Sequence, residues 1–195
     1  SPDHQATAMI VAELEMVRGR REQAFEACAR ALQIEPAFGF ACSRMFEIAA
    51  QLGLKFSKKA ADHADAALAR TAGQWTLAPQ IADWLGQQLG VDEARNRVSR
   101  WLRRARRDPY PVSAWAELLL YHGRGVPDAR RVLRRLKRAI ARFPLHLDLR
   151  YALAHAYSNL QRQEEEVQTL REIVANAPHE MRARVYLAET LEELG

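Results

Sequence analysis

Cysteine is scarce in this chain of 195 residues, and the two present, Cys28 and Cys42, lack the CxxC spacing of a redox or zinc motif. A disulfide framework is therefore excluded. Lysine is nearly as rare: only Lys55, Lys58, Lys59 and Lys137 occur among 29 Lys and Arg. Eight Pro and nine Gly are too few for a collagen-like or low-complexity chain. No apolar run approaches the roughly 20 residues of a membrane-spanning helix. No alternating strand pattern stands out either. What is present is 48% hydrophobic and 27% charged residues, a globular balance. A chain of this length buries about 70% of its extended surface, enough for a core without metals or disulfides. Ala and Leu dominate the apolar set, which favours helices. The Ala- and Arg-heavy usage is of the kind a GC-rich bacterial genome produces.

The net charge of +5 is unevenly distributed. Residues 91–142 carry fifteen Lys/Arg against five Asp/Glu, a net of +10, and the remainder nets −5. The last stretch, 161–195, is −4, with four basic and eight acidic residues. Such polarity bears on partners more than on fold.

A repeat organises the chain. Pro144 and Pro178 are 34 residues apart, each after an amphipathic segment. Before Pro178, Leu153, Ala154 and Tyr157 share one helix face, and Leu170, Ile173 and Val174 share another beyond the turn Gln161-Arg162-Gln163. The unit is a helix, a reversal, a second helix and a Pro that ends it. Similar units place Gly19, Gly53 and Gly90 at the reversals, where a left-handed residue commonly closes a helix. In the second unit the turn runs from Leu54 to Lys59 and Ala72 stands where Pro is expected. In the third, Pro79 marks a helix start or a kink, and the second helix overruns by a turn before Pro109. In the fourth, the turn is Gly123 to Pro127.

The order W-x2-L-G-x2-Y, then A-x3-F, then P, at this period, resembles the tetratricopeptide repeat family. Trp115 matches its Trp, Leu153 its Leu, Tyr157 its Tyr, Ala24 and Ala94 its close-packing Ala, and Pro36, Pro144 and Pro178 its terminal Pro. Glu166, Glu15 and Ala154 depart from the pattern, replacing Ala, Tyr and Gly. The expected fold is all-α: an α-solenoid of stacked antiparallel helix pairs, about 11 helices in one domain over 1–195. The expected units are about 5–36, 39–72, 75–109, 112–144 and 147–178, with a lone helix at 181–195. The resemblance implies a right-handed superhelix with first helices around a concave groove and second helices outside. The start at Ser1-Pro2 without Met, and the ordinary repeat positions of the last helix, suggest a piece of a longer protein.

Chemistry is hard to find. The six His show no HExxH or paired spacing, so no metal is expected. There is no GxxxxGK[ST], GxGxxG or GxSxG, and Ser99, Ser113 and Ser158 lack a triad context. The reading is not an enzyme, with no cofactor. Cys28 and Cys42 fall at core positions. Trp101 and Trp115 lie on apolar helix faces, whereas Trp75, at the start of a helix, is expected to be partly exposed.

Two surfaces remain. The family's groove positions map onto Met9, Glu13, Glu47, Asp83, Tyr151, His155, Asn159 and Glu189, joined by Glu117 or Tyr121. Tyr151, His155 and Asn159 follow one stripe at i, i+4 and i+8. The groove thus reads acidic with a polar-aromatic end, suited to a basic or extended peptide. The Lys of the family's carboxylate clamp are absent. The second surface is an Arg ridge on the outer helices: Arg97, Arg100, Arg103, Arg104 and Arg107, then Arg131, Arg134, Arg135 and Arg138. It suits a polyanion or an acidic protein face, including the acidic part of a second copy. Nucleic acid is disfavoured, because no exposed aromatics interleave the arginines. The leading expectation is a protein–protein interaction scaffold with a protein or peptide in its groove. The alternatives are a non-catalytic arm of a larger bacterial enzyme or export assembly, of glycosyltransferase or exopolysaccharide-export type, and polyanion binding. No membrane insertion is expected.

Overall fold

The computed structural model describes residues 2–70 and 75–194. Eleven helices follow in order: α1 (Pro2–Val17), α2 (Arg21–Ile34), α3 (Gly39–Leu52), α4 (Leu54–Arg70), α5 (Ala78–Leu89), α6 (Val91–Arg104), α7 (Tyr110–His122), α8 (Val126–Arg142), α9 (Leu147–Ser158), α10 (Gln163–Asn176) and α11 (Met181–Leu194). There is no strand among the described residues. Each helix rests on the next in sequence, and α5 also meets α7, which meets α9. This nearest-neighbour stacking is an α-solenoid, as the repeat implied.

The interior follows from the pattern of small and large residues. Ala24, Ala27, Ala31, Ala60, Ala61 and Ala64 are buried on α2 and α4 and let the helices approach closely. Phe25 and Phe46 fill the space between, with Phe25 edge-on to Phe56 at 5.2 Å and Phe46 stacked on Trp84 at 4.9 Å. Each large side chain so buried contributes about 1.5–3 kcal/mol. A smaller cluster, Tyr151, Ala154, Leu170, Ile173 and Ala183, closes the C-terminal end.

Single glycines make the tightest reversals. Gly53 and Gly90 are the only residues between α3 and α4 and between α5 and α6, with φ of 93° and 84°. An L side chain is strained there. Gly86 acts by size instead: a Cβ on it would meet Cδ2 of His122 at 2.5 Å and Cδ1 of Leu118 at 2.9 Å. Its absence lets α7 lie directly on α5.

Several local expectations change. Leu54 to Lys59 is not a turn but the opening of α4, because Phe56 and Ser57 are buried in the helix interface. α6 does not overrun: it ends at Arg104, and Ala105 leaves helical geometry at φ −110°, ψ 56°. Asp108 then accepts a hydrogen bond from the Tyr110 backbone N–H at 2.9 Å, starting α7. Trp75 is buried, 5% exposed, in the approach to α5 and lies 6.3 Å from Trp101. Pro79 sits in the first turn of α5, where its missing N–H costs nothing. Ala72 and Gly195 lie outside the described residues. Among those residues, no helix is long and apolar enough to cross a membrane.

Candidate functional site

The first helices carry a polar face whose charges are partly cancelled from within. Arg44 on α3 donates Nε to Glu13 Oε1 at 2.9 Å, Nη2 to Glu13 Oε2 at 3.0 Å and Nη1 to Glu47 Oε2 at 2.9 Å. One cation thus holds two of the expected groove carboxylates, and their hydrogen bonds raise its own pKa further. Met9 is not a surface contact: it is 6% exposed and part of the core. In the N-terminal half of the predicted acidic groove, Glu13 and Glu47 are therefore neutralised at the surface by Arg44.

The remaining acid lies further along. Thr76, Pro79, Gln80, Asp83, Glu117, Tyr121, Asp148 and Arg182 line a cleft of about 480 Å³. Glu117 and Tyr121 both belong to it. Asp83 is tied down on one side, with His122 Nε2 at 2.8 Å from Oδ1 and Gln87 donating Nε2 to Oδ2 at 2.7 Å. The close α5–α7 approach at Gly86 brings that His122 within reach. Glu117 has no hydrogen-bond or ion-pair partner among the described residues. Its pKa is pushed up to about 7, first by burial, then by Asp148 and Asp83, against the opposing pull of Arg182. At neutral pH this carboxyl is divided between its two forms.

Aromatic residues close the C-terminal side. The Tyr121 hydroxyl lies 2.9 Å from His155 Nδ1. Burial and the charge of Arg182 lower the pKa of His155, so the ring is neutral at neutral pH and its tautomer sets which of the two groups donates. The Arg182 guanidinium lies over Tyr151 at 4.6 Å and Tyr186 at 5.3 Å from the ring centres. Tyr151 is only 4% exposed, so it supports the cleft from behind and does not offer a free surface. Its hydroxyl has no partner in hydrogen-bond geometry, and burial, with Glu180 nearby, pushes its pKa up to about 12. Asn159 is exposed at the end of α9 and donates Nδ2 to the His155 carbonyl at 3.1 Å. Glu189 is exposed on α11 and does not line the cleft. The predicted stripe therefore splits into a buried, a half-buried and an exposed residue.

Sequence reasoning missed Arg44, His122, Asp148, Arg182 and Tyr186. One signal was available: Arg182 follows Asp148 by 34 residues, and both line the cleft. Cys28 and Cys42 are buried free thiols whose pKa burial pushes up to about 12, so neither is a nucleophile at neutral pH. No group of three metal-ligating side chains occurs among the described residues. The cleft can accept hydrogen bonds and hold a cation.

The arginine ridge also changes shape. Arg97 is not on it: 7% exposed, it donates to Asp62 at 2.9 Å, Asp65 at 2.7 Å and Glu93 at 2.9 Å. Arg100 reaches Asp65 at 3.3 Å, and Trp101 Nε1 donates to the same carboxylate at 2.7 Å. Arg131 and Arg135 lie over the Trp115 ring at 5.6 and 5.0 Å. Arg103, Arg104, Arg107, Arg134 and Arg138 remain exposed.

No protein-family model matches the chain, and no curated protein matches it by sequence. Solved structures do match its fold. TTC0263, a thermophilic tetratricopeptide repeat protein of Thermus thermophilus, is 17% identical with a TM-score of 0.60, over 96% of this chain and 98% of that one. YrrB, described as a tetratricopeptide repeat protein with an unusual peptide-binding site, is 16% identical with a TM-score of 0.52, over 92% and 89%. Yeast Tom70 is 12% identical with a TM-score of 0.60, over 99% of this chain and 41% of its own.

Proposed function

We propose that this chain, whose fold is that of tetratricopeptide repeat proteins, is an interaction scaffold that holds a basic side chain of a partner polypeptide in the α5–α7–α9–α11 cleft. The observation that carries the reading is Glu117, a half-buried carboxyl between Asp83 and Asp148 that no cation touches. Burying a carboxylate beside two others is costly unless a positive charge compensates. A lysine or arginine entering the cleft supplies that charge, and Gln80 and the Tyr121 hydroxyl add polar partners. YrrB, of the same fold, is described by its peptide-binding site, which makes a peptide the first partner to test.

The experiment measures a fluorescein-labelled Lys-containing peptide by anisotropy against the chain and its Asp83→Asn/Glu117→Gln/Asp148→Asn variant. Loss of binding in the variant, with the fold intact by circular dichroism, is expected. Equal binding to both would place the partner elsewhere and sink the reading.

A further inference from the structure

The strongest unopposed charge on the molecule lies away from that cleft. Arg142 Nη1 donates to the backbone carbonyl of Arg106 at 3.1 Å, which joins the end of α8 to the α6–α7 connection. The two basic blocks, 36 residues apart in sequence, are thereby one surface. Elsewhere several arginines find carboxylates, Arg44, Arg97, Arg100 and Arg150 among them. Here none does. Among the described residues, Arg103, Arg104, Arg106, Arg107, Arg130, Arg131, Arg134, Arg135, Lys137, Arg138 and Arg142 have no ion-pair partner. Like charges left together oppose folding by mutual repulsion, and Arg131 helps to lower the pKa of Arg135. Ring contacts of Arg131 and Arg135 with Trp115, of Lys137 with Tyr157 and of Arg142 with Phe143 offset part of that cost, but among the described residues Arg103, Arg104, Arg107, Arg134 and Arg138 make no such contact.

We propose that this surface, from the α6–α7 connection along α8, docks an acidic polypeptide segment. Three features select that occupant. First, Arg130, Arg134 and Arg138 rise along α8 at one turn apart, about 6 Å. Alternate side chains of an extended strand are spaced about 7 Å, so successive Glu or Asp on one strand face meet successive guanidinium forks. Second, the surface has two clefts with apolar floors framed by arginine. One, about 450 Å³, has Trp75 and Ala105 between Arg103, Arg104, Arg106 and Arg107, with Asp108 as its one acid against four arginines. The other, about 470 Å³, has Leu133 and Leu160 between Arg130, Arg134 and Arg162. A polypeptide offers apolar side chains between its carboxylates to enter such clefts, which a phosphodiester chain does not. Third, base stacking needs open aromatic faces: Trp101 and Trp115 are 4% and 3% exposed, two arginines cover Trp115, and Trp75, at the floor of the first cleft, shows only 5% of its surface. Along this surface, exposed large apolar side chains are confined to the two ends of α8, at Val126 and just beyond it at Leu145, and none lies between Arg130 and Arg142, so the arginine face has no apolar wedge for a lipid surface. The proposal is independent of the acidic cleft, which takes the opposite charge.

The test uses a fluorescein-labelled peptide with Glu at alternate positions and small apolar residues between. Its binding is compared with that of duplex DNA and of phosphatidylserine vesicles. The variant is Arg107→Gln/Arg134→Gln/Arg138→Gln, and Arg18→Gln is the control on another part of the chain. The peptide is expected to bind, and the triple variant to lose roughly tenfold in affinity through the loss of three exposed charges. The control is expected to lose none. Absence of peptide binding, or full binding by the triple variant, overturns the proposal. So does tighter binding of DNA or vesicles, which would make the occupant a polyphosphate or a membrane. Melting of the triple variant adds a second reading. An unchanged or raised midpoint fits arginines held for a ligand, whereas a marked drop shows that they hold the fold and overturns the proposal.

Discussion

Tyr121 and His155 occupy the same position of consecutive repeats, 34 residues apart, and join through a 2.9 Å hydrogen bond. The bond ties α7 to α9 across the lip of the cleft. A double-mutant cycle with Tyr121→Phe and His155→Gln is expected to give a coupling of about 0.5–1.5 kcal/mol in urea unfolding. No coupling would mean that the two rings merely touch.

Glu117 predicts the pH response. Its folded pKa of about 7 lies above the ordinary 4.5, so the folded state holds the proton more tightly. Its contribution is complete below 4.5 and is lost as pH rises through about 7. Glu117→Gln is therefore expected to stabilise the protein at pH about 8, by about 2 kcal/mol, and to do nothing at pH about 4. Urea midpoints at the two pH values check this. A basic ligand reverses the preference, since it favours the ionised form. Binding of the Lys peptide is expected to strengthen across the same pH range.

Asp65 serves Arg97, Arg100 and the Trp101 indole at once. Asp65→Ala leaves a buried N–H and a mostly buried guanidinium short of an acceptor, a loss of about 2–3 kcal/mol. Asp65→Asn keeps an acceptor and should cost clearly less. Equal losses in the two variants would reduce the residue to its charge alone.

Gly86 allows α5 and α7 to touch, so Gly86→Ala forces His122 and Leu118 aside. A loss of about 1–3 kcal/mol is expected, the usual cost of overpacking. The same shift loosens His122 from Asp83, and weaker binding of the Lys peptide should accompany it.

The helices were legible because two signals agree along the chain, apolar residues at three and four and a reversal residue near the middle of each unit. Gly53 and Gly90 mark reversals in both sequence and structure. Where the signals parted, the reading went astray. Lys55, Lys58 and Lys59 looked like a polar turn, yet Phe56 between them packs on Phe25 and holds the segment helical. The cleft was half legible. Asp83, Glu117 and Tyr121 share a face by repeat position, but Arg44 cancels Glu13 and Glu47 through a side chain long enough to cross between repeats. Nothing in a linear pattern states which cation reaches which acid. Arg97 was misplaced for the same reason: it reaches the acids of α4, 32 and 35 residues away.

Because every helix leans chiefly on its near neighbours, damage should stay local in time as well as space. Arg182 lies on α11, so one wall of the cleft belongs to a helix that packs chiefly on α10. Local opening of α11 uncovers Tyr151, which packs against Tyr186 and Arg182, without unfolding the rest. A partner that seats against Arg182 would then register as slowed exchange in α11 before it altered any other helix.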